Sequence, residues 1–139
     1  MLRTILSISG KPGLFKLVSQ GRNALIVESL IDGKKVPAYS RDKVISLNDI
    51  AIYTEEGEKP LREVFQLVFD KEAGAKVLVD PKADANTLKT YFAEVLPTFD
   101  RDRVYPTDIK KLLVWYNLLV EKGYTNFMQA EVEEVEEEK

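Results

Sequence analysis

Residues 24–39 read ALIVESLIDGKKVPAY, and this stretch decides the fold class of the N-terminal part of the chain. The nearly continuous apolar run over residues 24–31 predicts a strand that is buried on both faces. The Asp-Gly pair at 32–33 predicts a two-residue type I′ turn, because that loop needs positive φ at both positions. Residues 35–39 form the predicted return strand. Pro37 has no N–H to donate to a ladder, so this strand is expected at a sheet edge or with a bulge.

Further strands are predicted on both sides of this hairpin. Residues 14–19, LFKLVS, lie between turn-forming residues and predict one strand, and residues 4–9 predict another. Residues 46–49 indicate a turn or a single 3₁₀ turn before a fifth strand at 50–53. This order favours a small SH3-like β-barrel over residues 1–54.

The pattern changes to helical spacing after this module, which makes the predicted fold class α+β. Residues 55–124 predict three helices, each with an apolar stripe and with start and stop signals, and residues 76–79 are either a short strand or a linker. The start and stop residues of the three helices are, in order, Pro60 and Gly74, Asp84 and Pro97, and Pro106 and Gly123.

The third predicted helix has a second apolar face. Val114, Trp115 and Leu118 lie off its main stripe and leave little polar surface. Such a helix either packs between the other helices and the β module or meets another chain with its second face. Packing within the chain is favoured, because large exposed apolar patches are uncommon on monomers.

The C-terminal residues 125–139 are predicted to form a disordered acidic tail. Residues 131–139 read EVEEVEEEK, six Glu and one Lys, for a net charge of −5. Like charges at this density repel one another. Tails of this kind aid solubility, and the less favoured alternative is that the segment attracts a basic partner.

The chain contains neither Cys nor His. Their absence excludes disulfides, thiolate nucleophiles, Cys/His zinc sites and imidazole bases. The start of the chain does not match a signal peptide, and the apolar runs are shorter than the ~20 residues that span a bilayer. We therefore expect a cytoplasmic protein that does not associate with membranes, with no cofactor, no metal site and no catalytic residues.

Asp100, Arg101, Asp102 and Arg103 form the most informative polar cluster of the sequence. Two carboxylates and two guanidiniums in one loop could form a metal or phosphate site, as in a small carboxylate-dependent hydrolase. Pairing of these charges with one another is favoured, because ion pairs are common in loops and no third ligand is evident. An enzyme is not expected.

Basic residues in the N-terminal part raise the alternative of a nucleic-acid or ribosome-associated module. Residues 1–55 hold eight Lys or Arg against five Asp or Glu, a net charge of +3. Tyr39 and Phe15 would serve as stacking surfaces. This charge density is low for a dedicated nucleic-acid binder, so a solvated strand face is favoured. The candidate basic face consists of Lys11, Lys16, Arg22, Lys34, Lys35, Arg41 and Lys43.

Motifs spread over almost the whole chain, except the acidic tail, carry a family resemblance. They are LSISGKPGLFKL at 6–17, VESL at 27–30, IYT at 52–54, DRDRVY at 100–105, DIKK at 108–111 and WYN at 115–117. This pattern resembles a family of short bacterial proteins of unknown function. The resemblance implies that the β and helical parts form a fixed pair, and it implies no activity, cofactor or site residues.

The leading functional hypothesis is a non-enzymatic interaction module that binds a protein partner or a second copy of itself. Trp115 and Tyr39 are the candidate anchors, because aromatic residues dominate binding hot spots. Leu118 and the loop at 100–103 complete the candidate interaction residues.

Overall fold

A computed structural model describes residues 4–11, 13–39, 42–125 and 127. It has an α+β fold, as predicted, in which an antiparallel sheet precedes three helices. A 3₁₀ turn, Leu47–Asp49, lies between β5 and β6. The elements are β1 Ile5–Ile8, β2 Phe15–Gln20, β3 Ala24–Ser29, β4 Lys35–Tyr39, β5 Val44–Ser46, β6 Ala51–Thr54, β7 Gly57–Pro60, α1 Leu61–Lys71, α2 Ala85–Val95 and α3 Pro106–Glu121.

The N-terminal sheet has five strands in the order β4-β3-β2-β1-β5. β4 is an edge strand, as Pro37 predicts. In the described part of the chain no ladder joins β4 to β5, so the closed SH3-like barrel is not confirmed.

The prediction that residues 50–53 complete this sheet is wrong. β6 pairs with β7 in a separate hairpin, and the fifth strand of the sheet is β5, which pairs with β1. β5 has three residues, too few to show a period of two, and the GEKP sequence of β7 has weak strand propensity. The tight turn makes the hairpin possible, because Gly57 adopts φ 117° and Thr54 Oγ1 donates to its carbonyl at 2.6 Å. Residue 54, the predicted domain boundary, is the last residue of β6.

The connection between β3 and β4 also differs from the prediction. Of the pair at 32–33 only Gly33 has positive φ, at 75°, so the turn is not type I′. β3 ends at Ser29, whose N–H donates to Lys34 O at 2.9 Å and closes a longer connection. The prediction that β3 is buried on both faces is wrong as well. Only Val27 is buried within it, and its other five residues are partly exposed.

Two hydrophobic clusters stabilise the fold, and the larger one joins the β and helical parts. The smaller cluster covers one face of the sheet and contains Leu6, Phe15 and Val27. The larger cluster contains the buried faces of the helices. It also takes in five apolar residues from the N-terminal part: Ile5, Leu14, Leu30, Leu47 and Ile52.

The helices begin and end close to the predicted residues. Pro60 directly precedes α1, and Pro106 is the first residue of α3. The Asp84 carboxylate accepts from Thr87 N–H at 2.8 Å and caps α2. Residues 76–79 form a linker. Among the described helices, none combines the length and apolar character that crossing a membrane requires.

Most of the predicted acidic tail, residues 128–139, lies outside the described residues. Phe127 falls in the predicted tail and is instead fully buried. Its ring packs against Phe65 at 5.4 Å between ring centroids, and against Phe69 and Tyr116 at 6.0 and 6.1 Å. The packed core therefore extends to residue 127, because burying a large aromatic ring among other aromatic rings is strongly stabilising.

The loop before β2 gives a first testable prediction. Gly13 has φ 76°, and a Cβ there would meet the Ile31 side chain, whereas Gly10 has φ 82° and open space around it. We expect Gly10→Ala to lower the free energy of unfolding by roughly 1–2 kcal/mol, the cost of a left-handed conformation for a residue with a Cβ. Gly13→Ala should cost about as much, because the Ile31 side chain that its Cβ would meet is half exposed and can rotate away. Urea unfolding of both variants measures the difference, and a clearly larger loss for Gly13→Ala would show that the Ile31 side chain cannot move.

Candidate interaction groove

A groove of about 780 Å³ separates the N-terminal half of α3 from the β1–β5 side of the sheet. Four lysines line it, and among the described residues no Asp or Glu does. We call it the lysine groove. Its lining residues are Ser7, Ile8, Ser9, Gly10, Lys11, Gly13, Lys43, Ile45, Ile50, Thr107, Lys110, Lys111, Val114 and Trp115.

The helical wall of the lysine groove follows from the spacing of α3. Thr107, Lys110, Lys111 and Val114 recur at i, i+3, i+4 and i+7, so they lie on one stripe of the helix surface. Val114 is 39% exposed, although it is apolar. This stripe therefore presents two ammonium groups beside an accessible apolar side chain.

The opposite wall comes from the sheet and the loop after β1. Ser7 on β1 pairs with Ile45 on β5, and Ile45 is 50% exposed. Ser9 N–H donates to Lys43 O at 2.9 Å, and Lys11 N–H donates to Ile8 O at 3.0 Å. These backbone bonds bring the loop that carries Lys11 close to Lys43.

The four lysines of the groove have no carboxylate partner within ion-pair distance in the described part of the chain. Like charges grouped in a concave surface with low-dielectric walls focus a positive potential. The groove therefore attracts anions, and its exposed apolar residues add contact area for a ligand that also carries apolar groups.

Trp115 and Leu118, two of the predicted interaction residues, lie between α3 and the rest of the molecule. Both are partly buried against the larger hydrophobic cluster. Leu118 Cδ2 lies 3.7 Å from the position of a Cβ on Gly13. Trp115 lines the lysine groove and also a smaller cavity of about 260 Å³ formed with β6. The second apolar face of α3 thus points toward the β part of the same chain, and Trp115 remains accessible from the groove.

Most of the charged side chains in the loop at 100–103 make contacts within the loop or with the residues just before it. Arg101 stacks on the Phe99 ring at 4.2 Å and donates to the carbonyls of Pro97 and Phe99. Asp100 accepts from Asp102 N–H at 2.9 Å.

The other end of the loop faces the β6–β7 hairpin. Arg103 Nε lies 3.7 Å from the Asp100 carboxylate, and the Arg103 guanidinium lies over the Tyr53 ring at 5.1 Å. Arg103 also lines the smaller cavity beside Trp115. Within the described residues, no three carboxylates are grouped closely enough to hold a metal ion.

The structure does not bring the six described residues of the predicted basic face together. Lys16 and Lys35 lie on either side of Glu28 in the strand register. Arg22 lines a different cavity together with Tyr39 and Asp42. Phe15, the second predicted stacking residue, is buried. Lys34 is exposed at the β3–β4 connection, Arg41 lies outside the described residues, and Lys11 and Lys43 line the lysine groove.

The sequence reasoning missed Lys110 and Lys111. It looked for basic residues in the N-terminal part alone, whereas half of the groove's lysines lie on α3. The sequence does contain a pattern that indicates these two lysines. Residues 107, 110, 111 and 114 lie on one side of the predicted third helix, away from its buried stripe, and they combine two lysines with an apolar valine.

A second cleft of about 630 Å³ lies between the end of α1 and α2, and its charges are satisfied internally. Tyr91 OH donates to the Glu72 carboxylate, and Lys71 pairs with Glu94 at 2.9 Å. Burial, followed by the hydrogen bond to Glu72, raises the pKa of Tyr91 above its ordinary value. The hydrogen bond to Glu94 raises the pKa of Lys71. This cleft offers few unpaired groups for a ligand.

Comparisons with known proteins support the family resemblance. Residues 2–47 match a domain of unknown function, DUF5606, and residues 50–119 match another, DUF6852. A structural-genomics target from Bacteroides vulgatus, solved by solution NMR, has 60% sequence identity and a TM-score of 0.77, and the match covers 91% of each chain. No curated protein matches significantly. The chain belongs to a bacterial family of unknown function, and in it the DUF5606 match is followed by the DUF6852 match.

Proposed function

We propose that this chain is a non-enzymatic interaction module that binds an acidic segment of a partner protein in the lysine groove. The observation that carries the proposal is the set of four lysines without carboxylate partners around an accessible Trp115. Charge complementarity selects the partner and speeds association. Trp115, Val114 and Ile45 offer the apolar contact that gives such a complex its affinity.

A protein partner fits the charge distribution better than a nucleic acid. Nucleic acids bind best to a continuous positive surface that follows their phosphates. On this chain Glu28 interrupts the basic residues of the sheet, and the net charge is −3. A short acidic peptide segment needs only the local positive potential of the groove.

Two further expectations, one on the relation of the sheet to SH3-like barrels and one on the cellular location, are part of this proposal. The strand order β5-β1-β2-β3-β4 supports relating the sheet to the SH3-like barrels as an open variant. The Cys-free sequence supports a cytoplasmic site of action.

Replacing the two groove lysines of α3 tests the proposal. We expect the double variant Lys110→Gln/Lys111→Gln to bind an acidic peptide more weakly, by roughly two- to fivefold for each lysine, the range for partly exposed ion pairs. The probe is a fluorescein-labelled peptide of alternating Glu and Leu residues, and fluorescence anisotropy at low ionic strength measures its dissociation constant.

A matched variant controls for the loss of charge. Lys34→Gln/Lys35→Gln removes the same charge from exposed positions away from the groove, and we expect it to bind the peptide as the wild type does. Equal weakening by the two double variants would contradict a specific groove. Tighter binding of a single-stranded oligonucleotide than of the peptide, lost in Lys34→Gln/Lys35→Gln, would favour the nucleic-acid alternative instead.

A further inference from the structure

We infer that the smaller cavity beside Trp115 receives a large apolar side chain, the size of Leu or Phe, from the acidic partner segment that binds the lysine groove. The inference rests on the proposed function and names the side chain by which this site distinguishes one acidic segment from another. Four observations support it: the position of the cavity next to the groove, its apolar interior, its volume and the charges around it.

The cavity and the lysine groove lie on the two sides of one ridge of α3. The α3 residues that line the cavity recur at i, i+3, i+4 and i+7, one position later than the stripe that lines the groove: they are Asp108, Lys111, Leu112 and Trp115. At about 100° per residue, Lys111 and Trp115 lie between the centres of the two stripes. Both residues line the cavity as well as the groove. A segment that binds the groove can therefore place a side chain across this ridge and into the cavity.

The interior of the cavity is apolar. Its walls include four residues of the larger hydrophobic cluster, which come from β6, α1, α3 and the loop before α3: Ile52, Leu61, Leu112 and Val104. The walls of an apolar cavity lack dispersion contacts on the side that faces the cavity. An apolar side chain that enters supplies these contacts and removes its own surface from water. The cavity therefore favours an apolar side chain over a charged one.

The volume of the cavity indicates the size of the group that it fits. At about 260 Å³ the cavity is smaller than the pockets of roughly 300–1,000 Å³ that enclose whole small-molecule ligands. It is larger than the ~150 Å³ of an engineered apolar cavity that binds benzene. One side chain of the size of Leu or Phe, presented by a longer segment, therefore fits the cavity better than a separate small molecule does.

The charged residues around the cavity fit acidic neighbours of that side chain. Lys111 lines the cavity from α3, and Arg103 lines it from the preceding loop. The Arg103 side chain is 64% exposed and its Nε lies 3.7 Å from the Asp100 carboxylate, so the guanidinium can also bind a carboxylate of a partner. Asp108 lines the cavity as well, but its carboxylate accepts from Tyr105 N–H at 3.0 Å at the start of α3. The expected partner motif is a large apolar residue with Glu or Asp on both sides.

Two pentapeptides of equal charge, Glu-Glu-Leu-Glu-Glu and Glu-Glu-Ala-Glu-Glu, test this inference on the wild-type chain. They differ only in the side chain that is expected to enter the cavity. Trp115 is the single Trp of the chain, so its fluorescence reports binding of either peptide at low ionic strength. We expect the Leu peptide to bind roughly tenfold more tightly than the Ala peptide, the effect of a side chain that is mostly buried on binding. This comparison needs no variant of the protein.

Two matched variants of the protein locate the preference for Leu. Ala51 lines the cavity from β6, so Ala51→Leu fills part of it and should remove most of the preference. Ala85→Leu adds the same side chain at the exposed start of α2, and we expect it to keep the preference. Far-ultraviolet circular dichroism checks that both variants are folded. Arg103→Gln should weaken both peptides alike, by about two- to fivefold, because it removes a charge and leaves the apolar walls in place.

The same titrations separate this inference from the proposed function. Equal binding of the two peptides to the wild type would overturn the inference and leave the proposed function standing. A preference for Leu that persists in a folded Ala51→Leu variant would also overturn it. If Ile45→Ala then removes the preference, the apolar side chain lies in the lysine groove itself. Absence of binding of either peptide to the wild type would overturn the proposed function together with the inference.

Discussion

Replacing Phe127 by Ala is expected to lower the free energy of unfolding by about 3–5 kcal/mol, the range for truncating a buried Phe. The side chain is fully buried among Phe65, Phe69 and Tyr116. Its removal leaves a cavity between α1 and α3 that the rigid aromatic neighbours cannot fill. Urea unfolding monitored by far-ultraviolet circular dichroism measures the loss.

Phe127→Leu is the matched control for this prediction. It keeps most of the apolar volume and should cost roughly 1.5 kcal/mol or less. A loss below 1 kcal/mol for the Ala variant would contradict the placement of Phe127 in the core. Phe127 would then belong to the tail that the sequence predicts.

Replacing Leu14 by Ala is expected to lower the free energy of unfolding by about 2–5 kcal/mol. Leu14 directly precedes β2, yet it is fully buried in the larger cluster together with the helices. Because that cluster joins the β and helical parts, the destabilisation should act on both. We expect Trp115 fluorescence and the circular dichroism of the whole chain to show the same unfolding midpoint.

Leu17→Ala provides a control with the same chemical change. Leu17 is only partly buried and packs against the smaller cluster of the sheet. Its loss should cost less than that of Leu14. Separate midpoints for Trp115 and for the strand signal of the Leu14→Ala variant would show that the two parts unfold independently, contrary to a shared core.

The helical part was predictable because its signals are local. Pro60, Asp84 and Pro106 act at the starts of their own helices, where the N–H that proline lacks has no intrahelical partner and the aspartate accepts from an unpaired N–H. Those residues mark the helix starts in the structure. Helix packing then follows from the apolar stripes, which each helix must bury.

The strands were only partly predictable because pairing joins distant residues. The three residues of β5 and the polar sequence of β7 carry little local strand signal. They become strands because β1 and β6 present unpaired backbone groups beside them. Residues 50–53 have a stronger strand pattern, but that pattern does not indicate which other strand they pair with.

The candidate site could not be predicted from the sequence as a unit. Lys11 and Lys111 are 100 positions apart and contribute to the same groove. The sequence alone identified Lys11, Lys43 and Trp115 as candidates for different partners. Only the packing of α3 against the sheet places them together.

The sequence by itself determined the α+β class, the helix starts, the family and the absence of thiol and imidazole chemistry. These properties depend on residue identity or on neighbours within one turn of the chain. The tertiary structure decided the separate β6–β7 hairpin, the burial of Phe127 and the four-lysine groove. Each of these depends on which distant segments pack together, and packing is set by the shared hydrophobic core rather than by any single segment.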